Sequence, residues 1–248
     1  MDSGGRDRDG GFLMTETYDH VISRLAAILA SLQDVEPLIE RLCEAGRRML
    51  RADGASIVLP GESDLRVTAC STDELAATLE DLQTVVGEGP TPAALDSGDV
   101  STADIPDGDD EAWPLFHERV VQLGFSGLVT SVPLIFEHHT VGVLSVHRQS
   151  PDQIEAGVYR FLGAALGAAL LEDPANALGG GSQDVGWSSQ AKVHQATGMV
   201  IAQVGVRPTD AIALLKAQAF SAGTTLLEVA EHVLERQINF RNFTVEGD

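Results

Sequence analysis

Groups able to do chemistry are scattered through this sequence rather than assembled. His138-His139 is a pair of imidazoles in a short Glu-His-His turn between two β-prone runs, a setting that favours solvent exposure over metal ligation. The run 104–111, DIPDGDDE, supplies carboxylates but has no glycine at the sixth position of an EF-hand loop, so it reads as a solvated loop. There is no Walker loop, no GxSxG elbow and no histidine beside a plausible nucleophile. Cys43 and Cys70 stand in apolar patterns without CxxC spacing, which argues against a disulfide framework or structural zinc and for buried thiols in a reducing cytoplasm. No catalytic residue, metal ligand or cofactor is expected, and the chemistry left is that of binding.

Two groups of residues suit binding. Toward the C-terminus, Lys192, Gln195, Thr197, Lys216, Arg236 and Phe240 supply the cations, amide, hydroxyl and aromatic face that hold phosphates, bond base edges and stack on bases. Each would equally serve a solvated helix face or a core. Nearer the N-terminus, Thr91 follows Val86-Gly87-Glu88-Gly89-Pro90, where two glycines permit positive φ and Pro90 stiffens the turn. Such a loop lines a pocket or merely caps a sheet. Trp113 and Phe116, three apart on one helix face, fit either core packing or a stacking platform for a ligand, and Ser131 completes this candidate pocket.

The elements that must position these groups follow from composition and periodicity. The 248 residues are 44% hydrophobic but 5% aromatic, a soluble chain with a core of Leu, Val and Ala and room for one large domain or two modest ones. The 16 basic residues face 37 acidic ones, and a net charge of −21 argues against a general polyanion coat, so any nucleic-acid contact must be local. That charge is uneven, because residues 187–248 hold five basic and six acidic residues and leave −20 to the first 186. The longest uncharged apolar run, 161–171, is shorter than the ~18 residues a membrane span needs, and no signal-peptide core precedes it, which predicts a cytoplasmic location.

The spacing predicts a tail over 1–15, a first domain over 16–172, a Gly-rich linker over 173–186, a second domain over 187–243 and a tail over 244–248. In the first domain, helices are expected at 17–32, 35–50, 75–82, 111–123 and 152–171, the third opened by a capping box at Ser71 to Glu74. Strands are expected at 55–59, 65–71, 127–136 and 140–147. Helices enclosing an antiparallel sheet make an α+β sensory fold. The second domain reads as three helices: 186–205 with Ser188 or Ser189 at the N-cap, 210–222 capped by Thr209, and one opened by the box Thr225-Leu226-Leu227-Glu228.

These motifs carry resemblances to two families. Val86-Gly87-Glu88-Gly89-Pro90, Ala94-Leu95-Asp96-Ser97-Gly98, Trp113-Pro114-x-Phe116, Ser131-Val132-Pro133-Leu134 and Val141-Gly142-Val143-Leu144 resemble the GAF domains of actinobacterial regulators over about residues 20–172. Relatives often carry Cys after the Gly-Pro, where this chain has Thr91, so thiol-based sensing is not carried over. The C-terminal segment resembles the ANTAR domain of transcription antitermination regulators through Gln195-Ala196-Thr197-Gly198-Met199-Val200, Gln203-Val204-Gly205-Val206, Asp210-Ala211, Ala219-Phe220 and Glu228-Val229-Ala230. That resemblance implies a three-helix module that binds paired stem-loops of a leader RNA as a dimer, under control of a small ligand or upstream signalling protein at the GAF domain. The third helix departs from the family, with Glu231, Glu235, Gln237 and Asn239 around a lone Arg236, which predicts modest affinity. A DNA-binding repressor, or a GAF-based interaction protein whose bundle has lost RNA affinity, are the alternatives. A homodimer is expected from the small-residue stripe Gly163, Ala164, Gly167 and Ala168 with Leu162, Leu166 and Leu170.

Overall fold

A computed structural model describes residues 9–35, 37–61, 65–106, 112–150, 154–172 and 186–243. Its centre is a five-stranded sheet of β1 Gly54–Pro60, β2 Arg66–Ser71, β3 Ser101–Ile105, β4 Gly127–Phe136 and β5 His139–Arg148. The strands lie in the order β2-β1-β5-β4-β3, and every neighbouring pair is antiparallel. Two hairpins, β1–β2 and β4–β5, therefore meet at β1 and β5, and β3 closes one edge.

Alternation along the strands sends apolar residues to both faces. On one face Ile57, Val132, Leu134, Leu144 and Val146 pack under three helices: α1 Asp9–Ser31, α2 Leu38–Met49 and α6 Ala156–Glu172. On the other, Ala103, Ile105 and Val129 meet α3 Glu74–Val86 and α5 Pro114–Gln122 through Leu79, Phe116 and Val120, beside the short α4 Pro90–Ser97. Cys43 is buried and Cys70 half-buried, both free thiols, and their hydrogen bond together with burial pushes the Cys43 thiol well above its usual range.

Three more helices follow: α7 Gly186–Val204, α8 Pro208–Ala222 and α9 Leu226–Leu234. The axes of α7 and α8 turn by 104° at Gly205. Ala196, Val200, Leu215, Ala219, Val229 and Ala230 fill the space between the three helices. Leu65 and Val85 of the sheet domain join that same core, so the bundle is seated on β2 and α3. No single helix among the described residues is long and apolar enough to cross a membrane.

Several local expectations need correction. Helix α1 starts at Asp9, inside the stretch 1–15 expected as a tail, because extending an existing helix costs far less than starting one. Residues 1–8 and 244–248 of the expected tails lie outside the described residues, as does 173–185 of the expected linker, while Gly186 already belongs to α7. Ser71 ends β2, and Asp73 is the N-cap of α3 instead, its carboxylate accepting from Ala76 N at 2.7 Å. Ser188 and Ser189 lie inside α7, and Arg207 rather than Thr209 precedes α8, which opens on Pro208. Asp104 and Ile105, expected in a solvated loop, belong to β3, and the Gly- and Pro-rich stretch after α3 holds α4. The glycines of α6 do not form an exposed stripe. A Cβ at Gly163 would sit 2.3 Å from the Pro133 carbonyl oxygen and one at Gly167 2.7 Å from that of Ile135, so both let α6 lie directly on the backbone of β4.

Candidate functional site

Strand register builds the floor of the site. Ser71, Ser56, Ser145, Ser131 and Ser101 are successive register partners across β2, β1, β5, β4 and β3, which places five hydroxyls in one row on one face of the sheet. The inner three, Ser56, Ser145 and Ser131, are buried. Over them lie Glu80 and Gln83 of α3 and Thr91 of α4, also buried.

A hydroxyl row under a helix face needs polar partners, because an unmatched buried hydroxyl is costly. Thr91 Oγ1 donates to Glu80 Oε1 at 3.0 Å and lies 3.0 Å from Ser131 Oγ, which in turn donates to Ser145 Oγ at 3.4 Å. Gln83 closes the top: its Oε1 accepts from Thr91 N at 2.7 Å, and its Nε2 donates to Glu80 Oε1 at 3.1 Å. Burial raises the Glu80 carboxyl above its ordinary range, partly offset by hydrogen bonds from Ser145, Thr91 and Ser56 and by the Arg66 charge. Arg66 itself donates to the Gln83 carbonyl at 3.0 Å. The arrangement is a desolvated acid held among hydroxyls, suited to exchanging hydrogen-bond partners and not to nucleophilic attack.

The loop between α3 and α4 fixes this lid. Gly87 ends α3 at φ +79°, and Gly89 enters α4 at φ +131° with a Cβ position only 2.6 Å from Gln83 Oε1, so a side chain there would collide with the network. Glu88 between them reaches α5, where its Oε1 accepts from Leu115 N at 2.6 Å and Phe116 N at 3.1 Å. A distant carboxylate thus caps a helix whose own N-cap, Trp113, offers no side-chain acceptor.

Of the four pocket residues read from the sequence, the fold joins Thr91 to Ser131 and leaves out the other two. Phe116 is fully buried in the core under α3 and α5, and Trp113 packs half-buried against that core, apart from the Thr91–Ser131 contact. Glu80, Gln83, Ser56 and Ser145 were missed. Nothing local marks them, because Glu80 and Gln83 sit in a polar-looking helix and the serines become a row only through register.

The C-terminal candidates separate likewise. Phe240 is 4% exposed in the bundle core and Thr197 is buried, with its hydroxyl donating to Val193 O at 2.7 Å, so both leave the expected nucleic-acid face. Lys192 is exposed but pairs with Glu231 at 2.7 Å, tying α7 to α9. Lys216 is half-buried, whereas Gln195 and Arg236 are exposed, and Arg236 follows α9 in a left-handed conformation at φ +62°.

The family model for the GAF domain matches residues 33–191. No curated protein matches the chain. Among solved structures, a domain of a protein described as a two-component sensor histidine kinase from Sinorhizobium meliloti 1021 is 16% identical, with TM-score 0.44 over 57% of this chain and 93% of its own. The GAF domain of phosphoenolpyruvate-protein phosphotransferase from Acinetobacter is 15% identical, with TM-score 0.42 over 62% and 94%. Residues 122 to 287 of a methyl-accepting chemotaxis protein are 11% identical, with TM-score 0.40 over 62% and 97%.

Proposed function

The chain belongs to the GAF domain family, and from that premise we propose that it is a signal-responsive transcription antitermination regulator acting by binding rather than catalysis. In this reading the GAF domain senses a small ligand or a signalling protein, and the helices α7–α9 hold paired stem-loops of a leader RNA as a cytoplasmic homodimer. The observation that carries it is the position of α3. Glu80 and Gln83 on one side of this helix belong to the buried polar network, while Val85 on the other joins the core of the bundle. A change of hydrogen-bond partners at the network therefore displaces the helix on which the bundle sits, and the signal shifts the population of RNA-competent placements.

Gln195, Arg236 and Lys216 are the residues that keep an RNA role in this reading, with Lys192 available once it leaves Glu231. So few cations imply a shallow salt dependence, roughly −2 to −4 in log–log slope. A second reading, a sensor whose bundle binds protein instead, draws on the burial of Phe240 and Thr197 and on the Lys192–Glu231 pair. Titration of the full chain with a two-hairpin leader transcript at low salt separates the two. Saturable binding weakened by Arg236→Glu combined with Gln195→Ala is expected. Absence of binding at low salt, together with RNA crosslinking in cells no stronger than background, rejects antitermination.

A further inference from the structure

The seam between the two parts of the chain holds a cavity of about 300 Å³ that neither the buried network nor the RNA reading uses. Its walls come from both sides: Leu82 and Val85 of α3 and Leu123 after α5 face Phe220 of α8, with Asp81 of α3 opposite Glu228 of α9. The size falls at the lower end of small-molecule sites, and an apolar wall with a few converging polar groups is the usual composition of such sites.

The charges of the seam do not cancel. Arg119 also lines the cavity and leaves one cation against two carboxylates, its Nη2 donating to the Phe220 carbonyl at 3.0 Å and the group stacked 4.2 Å from the centre of the Phe220 ring that forms part of the wall. Among the described residues Asp81 has no such partner; its side chain keeps part of its surface in solvent, and partial desolvation together with the Glu228 charge raises its carboxyl to about 6. Glu228 spends one oxygen on its own helix, accepting from Thr225 N at 3.3 Å, and keeps the other. Two carboxylates, both partly in solvent, thus line the cavity beside its apolar wall.

The geometry points to a binding site for a small apolar amine, its ammonium between Asp81 and Glu228 and its hydrocarbon body against Leu82, Val85, Leu123 and Phe220. An ammonium there replaces repulsion with two attractions, and the net charge of −21 concentrates cations at the surface. Because such a molecule touches α3, α5, α8 and α9 together, its binding energy adds to the seated arrangement of the bundle and not to a released one. The site stands whether or not the bundle binds RNA.

The test uses the full chain at pH 7.5 and low salt, titrated calorimetrically with 2-phenylethylamine, 2-phenylethanol and 3-phenylpropionate as cation, neutral and anion of similar shape. The amine is expected to bind at least tenfold more tightly than the alcohol, with the carboxylate weakest. Asp81→Asn and Glu228→Gln should each lower amine affinity threefold or more, and the pair should bring it to that of the alcohol. Both variants are near-isosteric, and in Glu228→Gln the amide oxygen still accepts from Thr225 N, so helix α9 keeps its cap. Amide exchange near Val85 and Phe220 should slow when the amine is added. Equal binding of amine and alcohol, full amine affinity in the double variant, protection elsewhere in the chain, or no amine binding would each overturn the site. The RNA titration is a separate measurement, so the two readings fail independently.

Discussion

Arg119 of α5 holds Phe220 of α8 in two ways at once, by a 3.0 Å hydrogen bond to its carbonyl and by a guanidinium 4.2 Å from its ring centre. The two residues are 101 positions apart and belong to different parts of the chain. The carbonyl lies in the last turn of α8, where it also accepts from the C-cap Gly223 N at 3.3 Å, before the chain turns away with Gly223 in the left-handed region. The contact therefore adds a charged donor to a helix end and latches the bundle in one step.

Removing this latch should loosen the seam without unfolding either side. Arg119→Ala loses a charged hydrogen bond and a cation–π contact, together about 1–2 kcal/mol at a half-exposed site. Amide exchange at the facing surfaces of α3 and α8 should accelerate roughly five- to thirtyfold, while the interior of the sheet is unchanged. Unaltered exchange at the seam would show that Leu65 and Val85 alone hold the bundle.

The hydroxyl of Thr91 is the hub of the buried network, and its loss should be felt at three partners. Thr91→Val keeps the shape but leaves Glu80, Gln83 and Ser131 each short of one bond, a destabilisation of about 1–3 kcal/mol. Thr91→Ser should recover most of it. Denaturant midpoints of the three proteins decide this, and a valine variant as stable as the parent would mean that the network rearranges at no cost.

Because burial raises the Glu80 carboxyl, the folded state prefers it protonated. Its contribution to stability is full below the ordinary carboxylate range and is lost as pH rises through the raised value. Glu80→Gln removes that titration, so the variant should gain on the parent with increasing pH. A parallel pair of stability-against-pH curves would assign the acid an unshifted titration.

Asp81 obeys the same sign at the seam, where Glu228 of α9 faces it, Arg119 and Gln122 of α5 line the same cavity and Thr78 lies one turn back on α3. Its raised value of about 6 against an ordinary 3.8 means that docking is favoured below pH ~4 and weakened as pH climbs through 6. Since Asp81 keeps part of its surface in solvent, the effect should be small and screened by salt. Seam exchange should quicken between pH ~5 and ~7 after correction for intrinsic rates, and Asp81→Asn should abolish the change.

On helix α6, Gly167→Ala should reverse the usual preference of helices for alanine. Propensity favours the change by about 1 kcal/mol. Against it, the new Cβ would lie 2.7 Å from the Ile135 carbonyl oxygen and 2.9 Å from further backbone atoms, which must move apart. A net loss of about 1–3 kcal/mol in urea denaturation is expected, and a rise in midpoint would contradict the close approach.

Local pattern in the sequence was enough to determine the hairpins, the helical stripes, the capping box Thr225–Glu228 and the stops at Gly205 and Gly223, because each depends on neighbours within a turn or a pleat. It also determined the GAF family through motifs whose backbone needs are local, above all Gly87 and Gly89. The row Ser71, Ser56, Ser145, Ser131 and Ser101 was decided only when strands distant in sequence paired in one register. Short Pro- and Gly-rich segments such as α4 and β3 carry too weak a period to declare themselves and take shape against β4. Periodicity tells which face of an element is apolar and cannot tell what will cover it. Phe240 and Thr197 were therefore free to read as contacts for RNA until α7–α9 closed over them, and Gly163 and Gly167 as a dimer stripe until β4 was found lying against them.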